Sequence, residues 1–538
     1  MRALKKIENQ NREPFFVPKN VQSAIPIKEI WDDGIFQIGT KTKEPSAAKL
    51  ATCKALRLNA EQLNCYSKTF RVEDINYAVA SKEDKEAMFL DYGELLNSFD
   101  SAAAYKISII VKKLDKDEFK RAILIPLKDD KLDVYRREYN QIMLDEATGA
   151  NGFIQQKYVT VSVFKKDIDE ARCYFARVST DLTAHLNRLG SRAVVLDAND
   201  RLRILHDFFR PTEKYLPENC KDFKDSICPN SLEFQKDHFV MDGKFGRVVF
   251  LRDYANFIKD TLVSELCDFN RNMILSIDIN PIPTDEAVKA AERINLGVET
   301  NIANWQRRQN NNNNYSAVIP YDMELQRKES KEFLDDLTTR DQRMMFAALT
   351  VVLTADSKDE LDNDTETLLM IGRKHLCQFA KLNYQQLDGL NTVLPYGLRK
   401  ISAVRTLTTE SIAVFMPFRV QEVSDRGGIF YGTNAISRNM IICEKRNLLN
   451  PNGFRLGVPG SGKSFGAKEE IAFLAITTDD DILVCDPESE YGPLIEALGG
   501  QVIRVAAGSE HHINAMDMVE GYGDSKNPTI DKSEFILS

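Results

Sequence analysis

The spacing of apolar residues predicts alternating strands and helices over most of the chain before residue 400. Residues 105–114 (YKISIIVKKL) and 157–166 (KYVTVSVFKK) alternate as strands do. Residues 131–148 and 167–190 have the 3.6-residue spacing of amphipathic helices. The second of these helices starts with acidic residues and stops at a glycine, which are the usual end signals.

The same order of elements returns further along the chain. Strands are predicted at 272–281 and 345–354. Each is followed by a predicted helix, at 284–299 and at 357–375. We therefore expect two α+β units, each a sheet covered by helices, with a division near residue 270.

The two ends of the chain have different patterns. Prolines interrupt residues 1–75, which predicts an irregular segment with short strands. Short apolar runs at 411–418, 428–434 and 439–446 are separated by glycine and asparagine turns, which predicts short strands there. The predicted regions are the segment 1–75, an α+β domain at 76–408, and a third region at 409–538.

Composition narrows the class of protein. The net charge of -9 provides no overall basic field for nucleic acid or an anionic membrane. The nine cysteines are odd in number and contain no CxxC, which predicts reduced thiols in a cytosolic protein. The longest apolar run, at 344–355, is far shorter than the ~20 residues that span a bilayer and favours a buried strand.

One stretch carries recognisable chemistry. Residues 457–464 (GVPGSGKS) match the phosphate-loop pattern G-x-x-x-x-G-K-[ST] at the boundary between an apolar run and a predicted helix. Glycines at 457, 460 and 462 are expected to turn backbone N–H groups toward phosphate oxygens. The Lys463 ammonium should reach the β- and γ-phosphates of ATP, and the Ser464 hydroxyl should bind Mg²⁺. The residues predicted to contact the nucleotide are Gly457, Pro459, Gly460, Ser461, Gly462, Lys463, Ser464 and Phe465. The alternative is a chance glycine turn before a helix.

A second apolar stretch, 481–491 (DILVCDPESEY), predicts a strand that ends in carboxylates. Asp486 could lie near Mg²⁺, and Glu488 or Glu490 near an attacking water. The equally weighted alternative is that these residues cap the helix that follows. His511 and His512 are adjacent and would point to opposite faces of a strand, so we predict no metal site there.

Several motifs in order resemble one family. Residues 405–422, 428–434 and 457–470, together with DPESEYGPLIEALGG at 486–500, look like the type IV secretion ATPases of conjugative elements. The similar group is the VirB-four or TraE/TrbE-like one, particularly in Gram-positive elements. YSKTFRVEDINYAV at 66–79 and LLNSFD at 95–100 extend the likeness almost to the N-terminus.

The resemblance implies an α/β architecture, with an N-terminal α+β domain followed by the first part of a P-loop, RecA-like ATPase domain of the FtsK/HerA kind. It implies ATP and Mg²⁺ as cofactors and Lys463 and Glu488 as catalytic residues, with Ser464 and Asp486 as metal ligands. It also implies a hexamer on the cytoplasmic face of the membrane that works with channel subunits and, indirectly, with a coupling protein and a relaxase–DNA complex.

The position of the motif limits what the sequence predicts about hydrolysis. A RecA-type core needs a later strand ending in Asp-Glu, and the 74 residues that follow Ser464 contain none. The chain is therefore expected to be C-terminally truncated relative to this family, which leaves hydrolysis by the chain itself open. Two alternatives stand beside the secretion ATPase: an FtsK/HerA-type DNA translocase, and a non-hydrolysing scaffold at the transfer channel.

Overall fold

The predicted strand and helix boundaries are largely observed in the computed structural model. The model describes residues 20–39, 63–113, 120, 123–149, 152–216, 222–255, 258–311, 318–506 and 508–511. The strands are β1 (Ile27–Ile30), β2 (Phe36–Ile38), β3 (Asn64–Val72), β4 (Ala103–Lys113), β5 (Phe153–Lys165), β6 (Ala193–Val195), β7 (Leu232–Phe234), β8 (Phe239–Met241), β9 (Lys244–Asp253), β10 (Met273–Pro281), β11 (Met344–Ala355), β12 (Gln378–Lys381), β13 (Arg405–Thr408), β14 (Ile429–Thr433) and β15 (Met440–Cys443).

The helices also follow the predicted pattern, with local end signals in place. They are α1 (Lys82–Ser98), α2 (Asp133–Gly149), α3 (Ile168–Arg188), α4 (Ala198–Phe209), α5 (Phe223–Ile227), α6 (Thr261–Cys267), α7 (Thr284–Asn311), α8 (Tyr321–Thr339), α9 (Lys358–Lys374), α10 (Gln386–Val393), α11 (Thr409–Ala413), α12 (Lys463–Thr477) and α13 (Gly492–Ala497). The side chains of Asp167 and Ser357 accept a backbone hydrogen bond at the start of α3 and α9. None of the helices in the described ranges is both long and apolar enough to cross a bilayer.

Residue contacts divide the chain into two compact units. Unit 1 comprises Met1–Asp115, Ala150–Glu422 and Thr433–Asn439, and unit 2 comprises Lys116–Gly149, Val423–Gly432 and Met440–Ser538. The predicted boundary near residue 408 does not anticipate that residues 116–149, between β4 and β5, belong with the C-terminal region.

Unit 1 is built on one large antiparallel sheet rather than on two separate sheets. The strand order is β1-β2-β3-β5-β4-β10-β11-β9-β8-β7, with β6, β12 and β13 paired at the sides of β3, β9 and β11. β4 and β10 pair antiparallel from Tyr105 opposite Ile279 to Val111 opposite Met273. This pairing joins the two predicted α+β units into one sheet, so the expected division near residue 270 does not occur.

Both faces of this sheet are buried. Alternate residues of the central strands enter an apolar core beneath α1, α3, α6 and α9. The opposite face carries small polar and charged side chains that are also buried, among them Thr69, Lys106, Ser108, Thr160, Ser276, Asp278 and Thr350. The segment after α10 covers this face, and Gly397 there has φ +80 and would place a Cβ 3.1 Å from the Ser67 Cβ.

One strand predicted in unit 1 does not form. Residues 411–413 of the run SIAVFMPF (411–418) complete α11, and Phe415 and Phe418 beyond it are buried in the apolar core without strand pairing. Thr408 caps α11 by accepting a hydrogen bond from the Ser411 N–H. The cap starts a helix at the point where an apolar run alone indicates a strand.

Unit 2 contains α2, α12, α13 and the two-stranded sheet of β14 and β15. Its core is formed by Ile125, Ile429, Phe473 and Ile476, with the Tyr139 ring 5.4 Å from that of Phe473. Arg136 of α2 is 1% exposed, and its Nε donates a 2.8 Å hydrogen bond to the Ile476 carbonyl of α12. The segment 116–149 therefore supports the helix that starts at Lys463.

Candidate phosphate-binding site

The predicted phosphate loop folds as a glycine turn that leads directly into α12. Gly460 and Gly462 have φ +80 and φ +84, which non-glycine residues rarely adopt. Gly457 has no positive φ, contrary to the expectation that all three glycines take unusual dihedrals. Glycine at 457 avoids a close contact. A Cβ there would overlap the Ser461 Oγ and lie 3.3 Å from the Lys463 Cγ.

The turn leaves a row of backbone donors without acceptors. The Ser461 N–H donates to the Val458 carbonyl at 3.2 Å, and the Gly466 N–H donates to the Gly462 carbonyl at 3.0 Å. The N–H groups of Gly460 and residues 462–465 have no hydrogen-bond acceptor among the described residues. Since the first N–H groups of a helix have no partner within it, these donors are available to an anion.

The side chains of this turn are accessible as well. Lys463 has no ion-pair or hydrogen-bond partner within the described part of the chain, and Pro459, Ser461 and Lys463 are exposed. Ser464 is partly buried and its hydroxyl makes no hydrogen bond to described residues. Phe465 is 76% exposed. An ammonium, a hydroxyl and several N–H groups therefore lie in one turn without a partner among the described residues.

The predicted carboxylates are arranged differently. Asp486 accepts a 2.8 Å hydrogen bond from the Tyr491 N–H. Backbone N–H donors, first that of Tyr491 and also those of residues 488–490, hold the pKa of Asp486 below its ordinary value. The carboxylate thus stabilises the turn before α13, whose first residues receive no side-chain cap hydrogen bond. Glu488 and Glu490 are exposed and make no ion pair with the described residues.

Three apolar runs of this region, among them the strand predicted at 481–491, form no strand. Residues 453–457, 481–486 and 501–506 are without strand pairing, and Leu456 and Leu483 are 90% and 97% exposed. A strand needs a neighbour for its backbone N–H and C=O groups, and none of the described residues pairs with these segments. A RecA-like sheet is therefore absent from the described residues of unit 2 and stays a prediction.

A cluster that the sequence did not predict lies along α12. The Glu470 carboxylate accepts hydrogen bonds from Lys445, from Tyr431 at 3.4 Å, and from Arg455 at 3.2 Å. The only sequence signal was Arg455 itself, a charged residue within the apolar run before the loop. Glu470 could have been noted from its position seven residues after Lys463 in the helix, but its three partners come from distant segments.

The cavity in unit 2 lies away from the phosphate loop. It has a volume of about 200 Å³ and an apolar wall that includes Ile125, Ile429 and Phe473. Lys445 and Glu470 form part of its polar wall. The phosphate-loop residues 457–465 do not line it, and most of them are exposed.

The described ranges contain no group of three or more His, Cys, Asp or Glu side chains placed to hold an ion. His511 accepts a 3.3 Å hydrogen bond from the Arg504 N–H through Nδ1, and His512 and the rest of the C-terminal tail lie outside the described residues. No protein-family model and no curated protein sequence matches the chain.

Proposed function

We propose that unit 2 binds ATP with Mg²⁺ through residues 457–465, and that the chain is the ATP-binding motor component of a conjugative type IV secretion system. The observation that carries the nucleotide proposal is the row of unpartnered N–H groups at Gly460 and residues 462–465. The conformation of Gly460 and Gly462 turns these donors outward. The resemblance of the motif order carries the proposal of a secretion motor.

The residues fit a bound triphosphate with its metal. The N–H groups and the positive end of α12 would hold phosphate oxygens, and Lys463 would neutralise their charge. Ser464 would contribute one metal ligand, and Mg²⁺ when bound would withdraw charge from the phosphates. Lys463 and Ser464 would orient the phosphate chain along the turn.

The broader proposal concerns place and partners. A motor of this family would act on the inner face of the cell membrane as a hexamer, bound to the channel subunits. It would work with the coupling protein and the relaxase–DNA complex only indirectly. Coupling of hydrolysis to channel assembly and to DNA or protein transfer would be its role.

A non-hydrolysing nucleotide binder is the second candidate. The Asp486 carboxylate is occupied by backbone donors, and Glu488 is exposed with no group to orient it. A general base must be held within hydrogen-bond reach of the water that it activates. These two observations favour binding without hydrolysis in the chain taken alone.

Binding of a fluorescent ATP analogue to the full chain tests the phosphate site. Lys463→Ala should weaken binding roughly 10- to 150-fold, which corresponds to about 1.5–3 kcal/mol for a hydrogen bond from a charged group. Lys468→Ala is the matched control, because it removes the same charge from the same helix, where the Lys468 ammonium lies over the Tyr491 ring. Equal affinity of the Lys463→Ala variant and the unsubstituted chain would exclude the phosphate-loop assignment.

Two further measurements separate the motor from the simple binder. Phosphate release by the full chain distinguishes hydrolysis from binding. Transfer frequency from donor cells that carry only the Lys463→Ala variant tests the secretion role. Transfer at the unsubstituted level would refute that role even if ATP binds.

A further inference from the structure

Glu470 connects three segments of unit 2 through one carboxylate. Its side chain is 19% exposed and lies in the middle of α12. The Lys445 ammonium, just after β15, and the Tyr431 hydroxyl, on β14, both reach Oε1, and the Arg455 guanidinium reaches Oε2. Both oxygens are therefore engaged, by groups that lie 15, 25 and 39 residues before Glu470 in the sequence.

Arg455 is the anchor of the chain that enters the phosphate loop. Its neighbours Phe454 and Leu456 are 91% and 90% exposed, so apolar packing does not hold this segment. Within residues 453–457, Arg455 alone forms a side-chain hydrogen bond to another described segment. The position of Gly457, two residues later, thus depends on where the guanidinium is held.

Gly466 makes this contact possible. A Cβ on Gly466 would overlap the Arg455 Nη1, so a larger residue there would displace the guanidinium from its place against α12. Glycine inside a helix is unfavourable because it gains more freedom than alanine on unfolding. At this helical position the Arg455 guanidinium occupies the space that a side chain would take.

Electrostatic interactions within the cluster favour the charged forms of Glu470 and Lys445. Burial raises the pKa of Glu470, but hydrogen bonds and charges from Lys445 and Arg455 outweigh it, and the pKa lies below the ordinary value. The Glu470 hydrogen bond raises the pKa of Lys445. Both shifts favour the charged forms of Glu470 and Lys445.

We infer that Glu470 is a positioning residue for the phosphate loop. It holds Arg455 against Gly466, which fixes the chain entering the loop relative to the helix whose N-terminus would bind phosphate. Lys445 and Tyr431 in turn fix the Glu470 carboxylate relative to β14 and β15. This inference rests on the proposed nucleotide function. Its physical basis is preorganisation, since donors already held in place need no ordering when the ligand binds.

The test uses the full chain and compares the affinities for ATP and AMP in the presence of Mg²⁺. Glu470→Gln should weaken ATP binding about tenfold, the size of one hydrogen bond to a charged group, and AMP binding much less. Glu469→Gln is the matched control, because it removes the same charge at the next, exposed position and should bind as the unsubstituted chain.

Gly466→Ala separates positioning from stability. Alanine is the better helix former, so α12 should not be weakened, yet the displaced Arg455 should lower ATP affinity about tenfold. We expect Gly466→Ala to have an unchanged or higher melting temperature and a lower ratio of ATP affinity to AMP affinity. A purely structural role of Glu470 would not produce this combination.

The outcomes distinguish the inference from the proposed function. If the unsubstituted chain binds ATP, Lys463→Ala does not, and Gly466→Ala binds normally, positioning by this cluster is overturned and the phosphate loop stands. Equal losses for ATP and AMP in Glu470→Gln with a lowered melting temperature also overturn it. No ATP binding by the unsubstituted chain overturns both proposals.

Discussion

A buried ion pair in the sheet of unit 1 allows a sharp test of what holds this sheet together. Lys106 of β4 and Asp278 of β10 are opposite each other in the strand register, and their charged atoms are 3.1 Å apart. The two side chains are 1% and 6% exposed. Lys106 also donates to the carbonyls of Thr392, Leu394 and Leu398 in the covering segment.

Replacing Lys106 with methionine should be strongly destabilising. Coulomb's law with an effective dielectric of about 20 gives about 5 kcal/mol for opposite charges at the 3.1 Å separation. Removing one partner of such a buried pair costs about 3–5 kcal/mol, because an uncompensated charge stays behind. We expect Lys106→Met to lower the free energy of unfolding of unit 1 by this amount.

The loss of stability in Lys106→Met should also depend on pH. Burial raises the pKa of Asp278, with Lys106 opposing the shift, so removal of Lys106 raises the pKa further. A group with a raised folded-state pKa contributes stability below its unfolded pKa and loses it as pH rises through the folded value. The loss of stability in Lys106→Met should therefore grow with pH once the pH exceeds the already raised pKa of Asp278 in the unsubstituted chain, by at most about 1.4 kcal/mol per pH unit.

Tryptophan fluorescence during urea unfolding measures this effect in unit 1 alone. Both tryptophans of the chain, Trp31 and Trp305, belong to unit 1. The exposed pair Lys82 and Glu86 provides a control, since Lys82→Met should change stability by less than about 1 kcal/mol. A second substitution, Asp278→Asn in the Lys106→Met background, should recover part of the loss.

Two results would refute this reasoning. A loss below about 1 kcal/mol for Lys106→Met would mean that Asp278 is solvated or neutral in the folded protein. An equal loss at acidic and alkaline pH would mean that the Asp278 carboxylate does not carry the penalty.

Three other predictions concern single contacts. Arg136→Met removes the donor to the Ile476 carbonyl and should cost about 1.5–3 kcal/mol, seen as faster hydrogen exchange in α12, with unchanged exchange contradicting the role of the segment 116–149. Gly397→Ala, at φ +80 and 3.1 Å from neighbouring side chains, should destabilise unit 1 by about 1–3 kcal/mol in urea unfolding. Gly243→Ala is the control, because Gly243 has φ +82 but no atom within 4 Å of an added Cβ, so it measures the cost of the backbone conformation alone. An equal loss of stability in the two variants would show that steric contact at Gly397 contributes nothing. Ser464→Ala should abolish the gain in ATP affinity that Mg²⁺ provides, and a preserved gain would exclude Ser464 as a metal ligand.

The sequence determined the features that depend on near neighbours. Strands β4, β5, β10 and β11 and helices α3 and α9 formed where apolar spacing and end signals indicated them, because these signals act within a few residues. The turn at Gly460 and Gly462 is local in the same sense, since its backbone conformation depends on the absence of a Cβ.

The tertiary structure decided what depends on distant partners. The pairing of β4 with β10 merged two predicted units, and Arg136 brought residues 116–149 to α12. Residues 453–457 and 481–486 have the composition of strands but lack pairing among the described residues. Backbone pairing and ion pairs such as Arg455 with Glu470 are set by which segments meet in space, and the spacing of residues along one segment does not contain that information.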